Sequence, residues 1–101
     1  MERIENENEL LFKVTGSLSG MPDSAPRFFN QISTDLQAVR KNITFDFQKL
    51  MFIDSMAIGL LVGIIIKAKQ INCAVKIRNP QPLIRDILEA TQLKKMFPDL
   101  Y

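Results

Sequence analysis

No histidine occurs anywhere in this chain. That removes the usual general base, the usual metal ligand and every Ser-His or Cys-His nucleophile arrangement. The one cysteine, Cys73, cannot close an internal disulfide, which suits a reducing cytosol. Its apolar setting marks it as a small buried residue rather than a reactive thiol. No basic-then-apolar signal opens the chain. The longest apolar run, Met56 to Ile66, is about half the roughly 20 residues that a spanning helix needs. Charge of one sign is also scarce in excess: 13 Lys and Arg stand against 11 Asp and Glu, a net of +2. Nucleic-acid binders carry a stronger basic surplus on one element. These absences point to a soluble cytosolic protein without membrane, nucleic-acid, metal or cofactor partners, and against an enzyme.

What is present is apolar material and alternation. With 47% hydrophobic residues in 101, the chain can pack a core, and one domain over 1–101 is expected. Glu2, Glu5, Glu7 and Glu9 crowd the start, which reads as a solvated surface. ELLFKVTGSLSG has strand-like composition up to Gly16, where turn residues take over. Pro22, Asp23, Ser24 and Pro26 then suit a helix start. Phe28, Phe29, Ile32, Leu36 and Val39 follow at helical steps. ITFDF alternates as a strand. LMFI continues it, apolar on both faces as if covered from two sides. A helix follows Ser55, with lysines near its end. CAVKIRN reads as a strand ending at Asn79. Pro80 to Phe97 reads as a turn, a helix with Leu83, Ile84, Ile87 and Leu88 inward, and a last short turn or helix. Strand, helix, strand, helix, strand, helix predicts an α/β fold with parallel neighbours. So short a chain has helices for little more than one face of its sheet.

The stretch FIDSMAIG, from Phe52 to Gly59, sets Asp54 and Ser55 between a strand and a helix. A turn of about 100° per residue puts Ala57, Ile58, Leu61, Ile64, Ile65, Ala68 and Ile71 on the sheet side. The other side collects Ser55, Met56, Gly59, Gly63, Ile66, Lys67 and Gln70, with Val62 at its margin. Each interior glycine costs about 1 kcal/mol relative to alanine. Gly59 and Gly63 therefore make a shallow groove that admits either a neighbouring helix of the same domain or a partner protein. Ser55 has two readings as well. Serine and aspartate both cap helices, and a helix N-terminus also welcomes a phosphate, so modification there would change the surface without unfolding the chain. Asp46 and Asp54 are the most suggestive carboxylates for catalysis, but an extended strand holds them too far apart to act as a pair. No glycine-rich turn ends in Lys-Ser or Lys-Thr.

From Ile43 to Phe97 the sequence resembles the STAS domain of bacterial anti-sigma factor antagonists. Asp46 matches the family's strand aspartate. Asp54, Ser55, Ile58 and Gly59 match its Asp-Ser-Ser-Gly-Leu-Gly signature. Asn79-Pro80 and the Ile87-Leu88-Glu89-Ala90 segment match the family's later strand end and closing helix, and Gly16-Ser17-Leu18 resembles its Gly-Glu-Leu-Asp strand end. Met56, Ala57, Ser17, Ser19 and Gln92 depart from the pattern; Gln92 stands where a glycine is common. The resemblance implies a central sheet of about four strands flanked by helices, mainly on one face. It also implies Ser55 as the acceptor for an anti-sigma factor that doubles as a serine kinase, with a serine phosphatase to reset it. Unmodified antagonist captures the anti-sigma factor and frees the sigma factor. The docking surface expected here comprises Asp54, Met56, Gly59, Val62, Gly63 and Ile66, on a monomer or weak dimer. The alternative is an unphosphorylated scaffold or ligand-sensing module of the same architecture, in which Ser55 plays no part beyond the helix end.

Overall fold

The computed structural model describes residues 2–20 and 24–101. Its elements are β1 (Glu2–Glu5), β2 (Glu9–Leu18), α1 (Ser24–Val39), β3 (Asn42–Ile53), α2 (Ser55–Gln70), β4 (Val75–Arg78), α3 (Pro82–Ala90) and α4 (Leu93–Met96). The strands lie side by side in the order β1-β2-β3-β4. The first pair is antiparallel, and β2, β3 and β4 run parallel. Right-handed crossovers that step twice in the same direction leave both connecting helices on one face. Burial follows that rule. Leu10, Phe12, Val14, Ile43, Phe45, Phe47, Val75 and Ile77 are buried, while Lys13, Thr15, Gln48, Lys76 and Arg78 between them are exposed. The fold is thus α/β, with a four-strand mixed sheet.

Under the helices the core is aromatic at its centre. The Phe45 ring lies 6.0 Å from Phe12, 6.0 Å from Phe28, 6.1 Å from Phe29 and 5.7 Å from Phe47. Such pairs add about 0.5–1.5 kcal/mol each beyond the area they bury. From α2, Ala57, Ile58, Leu61, Ile64, Ile65 and Ala68 are buried, as their spacing predicts, and Ile71 is half-buried at the end. Cys73 is buried too. At the far edge, the Leu100 carbonyl accepts a hydrogen bond from the Ile77 N–H at 2.6 Å, so the C-terminal segment covers part of the exposed margin of β4.

Three expectations need correction, and one strand was not anticipated. Glu2–Glu5 forms an edge strand, held by Arg3 to Asp35 and Lys41 to Glu5 ion pairs; four mostly charged residues give no strand signal of their own. β2 does not stop at Gly16 but runs to Leu18, because Gly16 takes a φ of 78° inside it. The stretch Leu50–Ile53 is not covered on both faces. Leu50 and Ile53 are buried, whereas Met51 is 62% and Phe52 46% exposed. The register explains the pattern. Lys13 and Thr15 face Asp46 and Lys49, and Gly16 and Ser17 face Leu50 and Phe52, so β3 carries one extra residue at each of two bulges. Each bulge resets the alternation, and Phe47, Leu50 and Ile53 all point inward. The Asp46 carboxylate accepts from the Gln48 N–H at 3.0 Å and so satisfies the first bulge, with Arg78 at 3.4 Å on its other oxygen. Leu83, expected inward, is 56% exposed, because Ile84 and Leu88 form the buried stripe of α3 and Leu83 flanks it. Ser24 and Pro26 lie in the first turn of α1; Pro22 and Asp23, the other start signals, lie outside the described residues.

Candidate protein-docking site

Asp54 leaves the end of β3 with an extended backbone, φ −104° and ψ 177°, and its side chain accepts from the Ala57 N–H at 2.9 Å. Asp54 is therefore the N-cap of α2, and Ser55 is the first helical residue. The two readings of Ser55 separate here. The cap role is filled by its neighbour, and Ser55 is exposed, with no hydrogen-bond partner for its hydroxyl among the described residues.

The second oxygen of Asp54 reaches across the sheet. It accepts from the Gly20 N–H and from the Ser19 hydroxyl, both at 2.9 Å. The Asp54 N–H in turn donates to the Leu18 carbonyl at 3.1 Å. One carboxylate thus ties the segment after β2 to the mouth of α2. The Ala57 N–H first, then the Gly20 N–H, hold that carboxyl below its usual range, and the Ser19 hydroxyl adds to this. A donor is what position 19 needs in this arrangement; a second carboxylate there would face the first. Sequence reasoning noticed Ser19 only as a departure and did not find this clamp. The partners are far apart in the chain, and nothing local signals the bond.

Beyond the mouth, the outward side of α2 is small and apolar. Met56 is 54% and Ile66 46% exposed. A β-carbon built on Gly59 or Gly63 would meet nothing within 4 Å, so no element among the described residues closes on either glycine. Both line a shallow groove of about 190 Å³ between α1 and α2, whose sides include Phe29, Ser33 and Lys67. Lys67 spans that groove to donate to the Ser33 hydroxyl at 2.7 Å. Val62 is half-buried on the opposite flank of the helix. Of the six residues expected to dock a partner, Asp54, Met56, Gly59, Gly63 and Ile66 thus share the mouth and open side of α2, and Val62 borders it. Met56 leans back over the Gly20 backbone: a β-carbon on Gly20 would fall 2.6 Å from the Met56 sulfur. Met51, Phe52 and Leu83 are also exposed, although all three were expected to be covered. The Met51 sulfur lies 3.6 Å from the Gln81 amide, just before α3.

A sheet with a parallel core, both crossover helices on one face and an acid-capped helix leaving its third strand defines a class of small α/β module. The particular family is given by the sequence: a STAS domain model matches residues 1–101, and the chain belongs to the STAS domain family. Among solved structures it is similar to the anti-sigma factor antagonist SpoIIAA in its unphosphorylated form. That match has a TM-score of 0.82 at 20% identity and covers 93% of this chain and 82% of that one. The Bacillus cell fate determinant SpoIIAA in the phosphorylated form matches with a TM-score of 0.74, also at 20% identity, over 93% and 85% of the two chains. A structure of Mglu matches at 0.67 and 12% identity, over 80% of this chain and 20% of that one. Likeness at these identities establishes the fold. A comparison with curated protein sequences gives no match. No helix among the described residues is long and apolar enough to cross a membrane.

Proposed function

We propose that this protein is an anti-sigma factor antagonist, switched by phosphorylation of Ser55. In its unmodified form it captures an anti-sigma factor that is also a serine kinase, and so frees a sigma factor for transcription. Phosphorylation releases the partner, and a serine phosphatase restores capture. The observation that carries this reading is the exposed Ser55 hydroxyl on a helix whose cap is already supplied by Asp54. A phosphate there adds about −1.5 to −2 charges. It meets the positive pole of α2, so the fold tolerates it. The same charge beside the Asp54 carboxylate would have to be desolvated against the partner, at a cost of several kcal/mol. The docking face runs from Asp54 and Met56 along Gly59, Gly63 and Ile66, with Val62 at its border.

The test uses the purified serine kinase and anti-sigma factor of the same cell, with ATP. Phosphate should appear on Ser55 by mass spectrometry. Ser55→Ala should retain capture, and Ser55→Asp should lose it. Equal capture by the two variants, or phosphate on another residue only, would overturn the switch.

A further inference from the structure

The sheet face that carries no helix bears one row of four charged residues, three of them exposed and the fourth, Asp46, buried and paired with Arg78. Glu2 pairs in register with Lys13, Lys13 with Asp46, and Asp46 with Arg78. Directly opposed residues of neighbouring strands share a face. The next residues along, Arg3, Phe12, Phe45 and Ile77, form the parallel row on the helix side, where Phe12, Phe45 and Ile77 are buried and Arg3 bonds Asp35 of α1. The Glu2, Lys13, Asp46, Arg78 row therefore points away from the helices. Its signs alternate across all four strands: minus, plus, minus, plus.

A row of this kind is complementary to its own reversal. We infer that the open sheet face binds a second copy of this chain about a two-fold axis that runs parallel to the strands, between β2 and β3. Rotation about that axis sets Glu2 opposite Arg78 of the other copy, a contact that occurs twice, and sets Lys13 over its Asp46, whose oxygens are already held by Gln48 and Arg78 of their own chain. The other in-plane axis, across the strands, would set each charge over its own counterpart and is repulsive. The charges thus select one of the two face-to-face arrangements. Stacked sheets lie about 10 Å apart, a gap that the arms of lysine and arginine can bridge. The neighbouring row, Ile4, Leu11, Thr44 and Lys76, adds only two half-buried apolar groups. The dimer is accordingly weak, concentration-dependent and sensitive to salt. Because the axis runs along the strands, both copies of the Asp54–Ser55 mouth lie at the same end of the assembly and stay uncovered. This inference does not depend on whether Ser55 is phosphorylated.

The experiment is a charge swap read by sedimentation velocity at low ionic strength and again in high salt. The native chain should self-associate, and salt should reverse this. Glu2→Lys alone and Arg78→Glu alone each turn two attractive contacts into repulsive ones, so each should weaken association about 10- to 30-fold. Mixed in equal amounts, the two variants restore both contacts and should recover a heterodimer. A native chain that stays monomeric at low salt, or a mixture no more associated than its components, would overturn the inference. Thermal unfolding curves establish that the variants fold. If Arg78→Glu does not, Glu2→Cys and Arg78→Cys replace the pair, with a short bis-maleimide as the probe. Cross-linking confined to the mixture supports the arrangement, and cross-linking of either variant alone to the same extent refutes it.

Discussion

Replacing both glycines of α2 with alanine separates stability from recognition. A β-carbon at Gly59 or Gly63 meets nothing within 4 Å, and both residues are exposed in a helix interior. No steric term therefore opposes the gain in helix propensity, about 1 kcal/mol at each position. The double variant Gly59→Ala/Gly63→Ala should be about 2 kcal/mol more stable, which for a domain of this size raises the melting temperature by roughly 8–16 °C. Urea unfolding is the assay: the midpoint should rise while its slope is unchanged. The same two methyl groups fill the floor of the groove. If a partner backbone closes on those glycines, capture of the anti-sigma factor should weaken about tenfold or more, equivalent to at least about 1.4 kcal/mol. A variant no more stable than the native chain would refute the open-space argument. A more stable variant with undiminished capture would refute the docking role of the glycines.

Two further outcomes rest on single residues. The Asp54 carboxyl is held below its usual range, so the stability it confers is fully present above its unfolded pKa of about 3.9 and is lost as pH falls through the folded value. Glu5 shares that direction, so the difference between the native chain and Asp54→Asn in urea unfolding from pH 6 to pH 2 isolates Asp54. The difference should shrink in the acid range, and a flat one would refute the clamp. Gln92 sits at φ 61°, in the left-handed region, at the start of α4. Gln92→Gly should stabilise the chain by about 0.5–1 kcal/mol, while Gln92→Ala, which keeps a β-carbon, should leave it unchanged. Thermal melts decide between them.

Much of this architecture is legible in the residues. The two sides of α2 are set by spacing alone, and the buried set agrees position by position up to the half-buried Ile71. The Asp-Ser junction is likewise visible as a polar pair with no place in either neighbouring pattern. Local reading misses the effects that depend on a distant strand. The clamp on the second Asp54 oxygen depends on Ser19 and Gly20, which only the sheet brings near. The apolar run from Leu50 to Ile53 looks two-sided in sequence because bulges break a period of two without leaving a compositional mark. Glu2–Glu5 pairs because β2 offers it an edge, not because its own residues favour extension. Exposure of Leu83 depends on which flank of α3 meets β3.

The paired bulges of β3 carry a consequence for how this chain can vary. Each one inverts the phase of the strand, and together they cancel, so the chain emerges at Ile53 with its original parity. Loss of a single residue between Phe47 and Phe52 would roll the exit of the strand by half a turn. It would swing the acid and hydroxyl beyond that exit to the wrong side of the sheet. Length changes in this segment should therefore be tolerated among descendants only in compensating twos, even though the surrounding loops can grow or shrink one residue at a time.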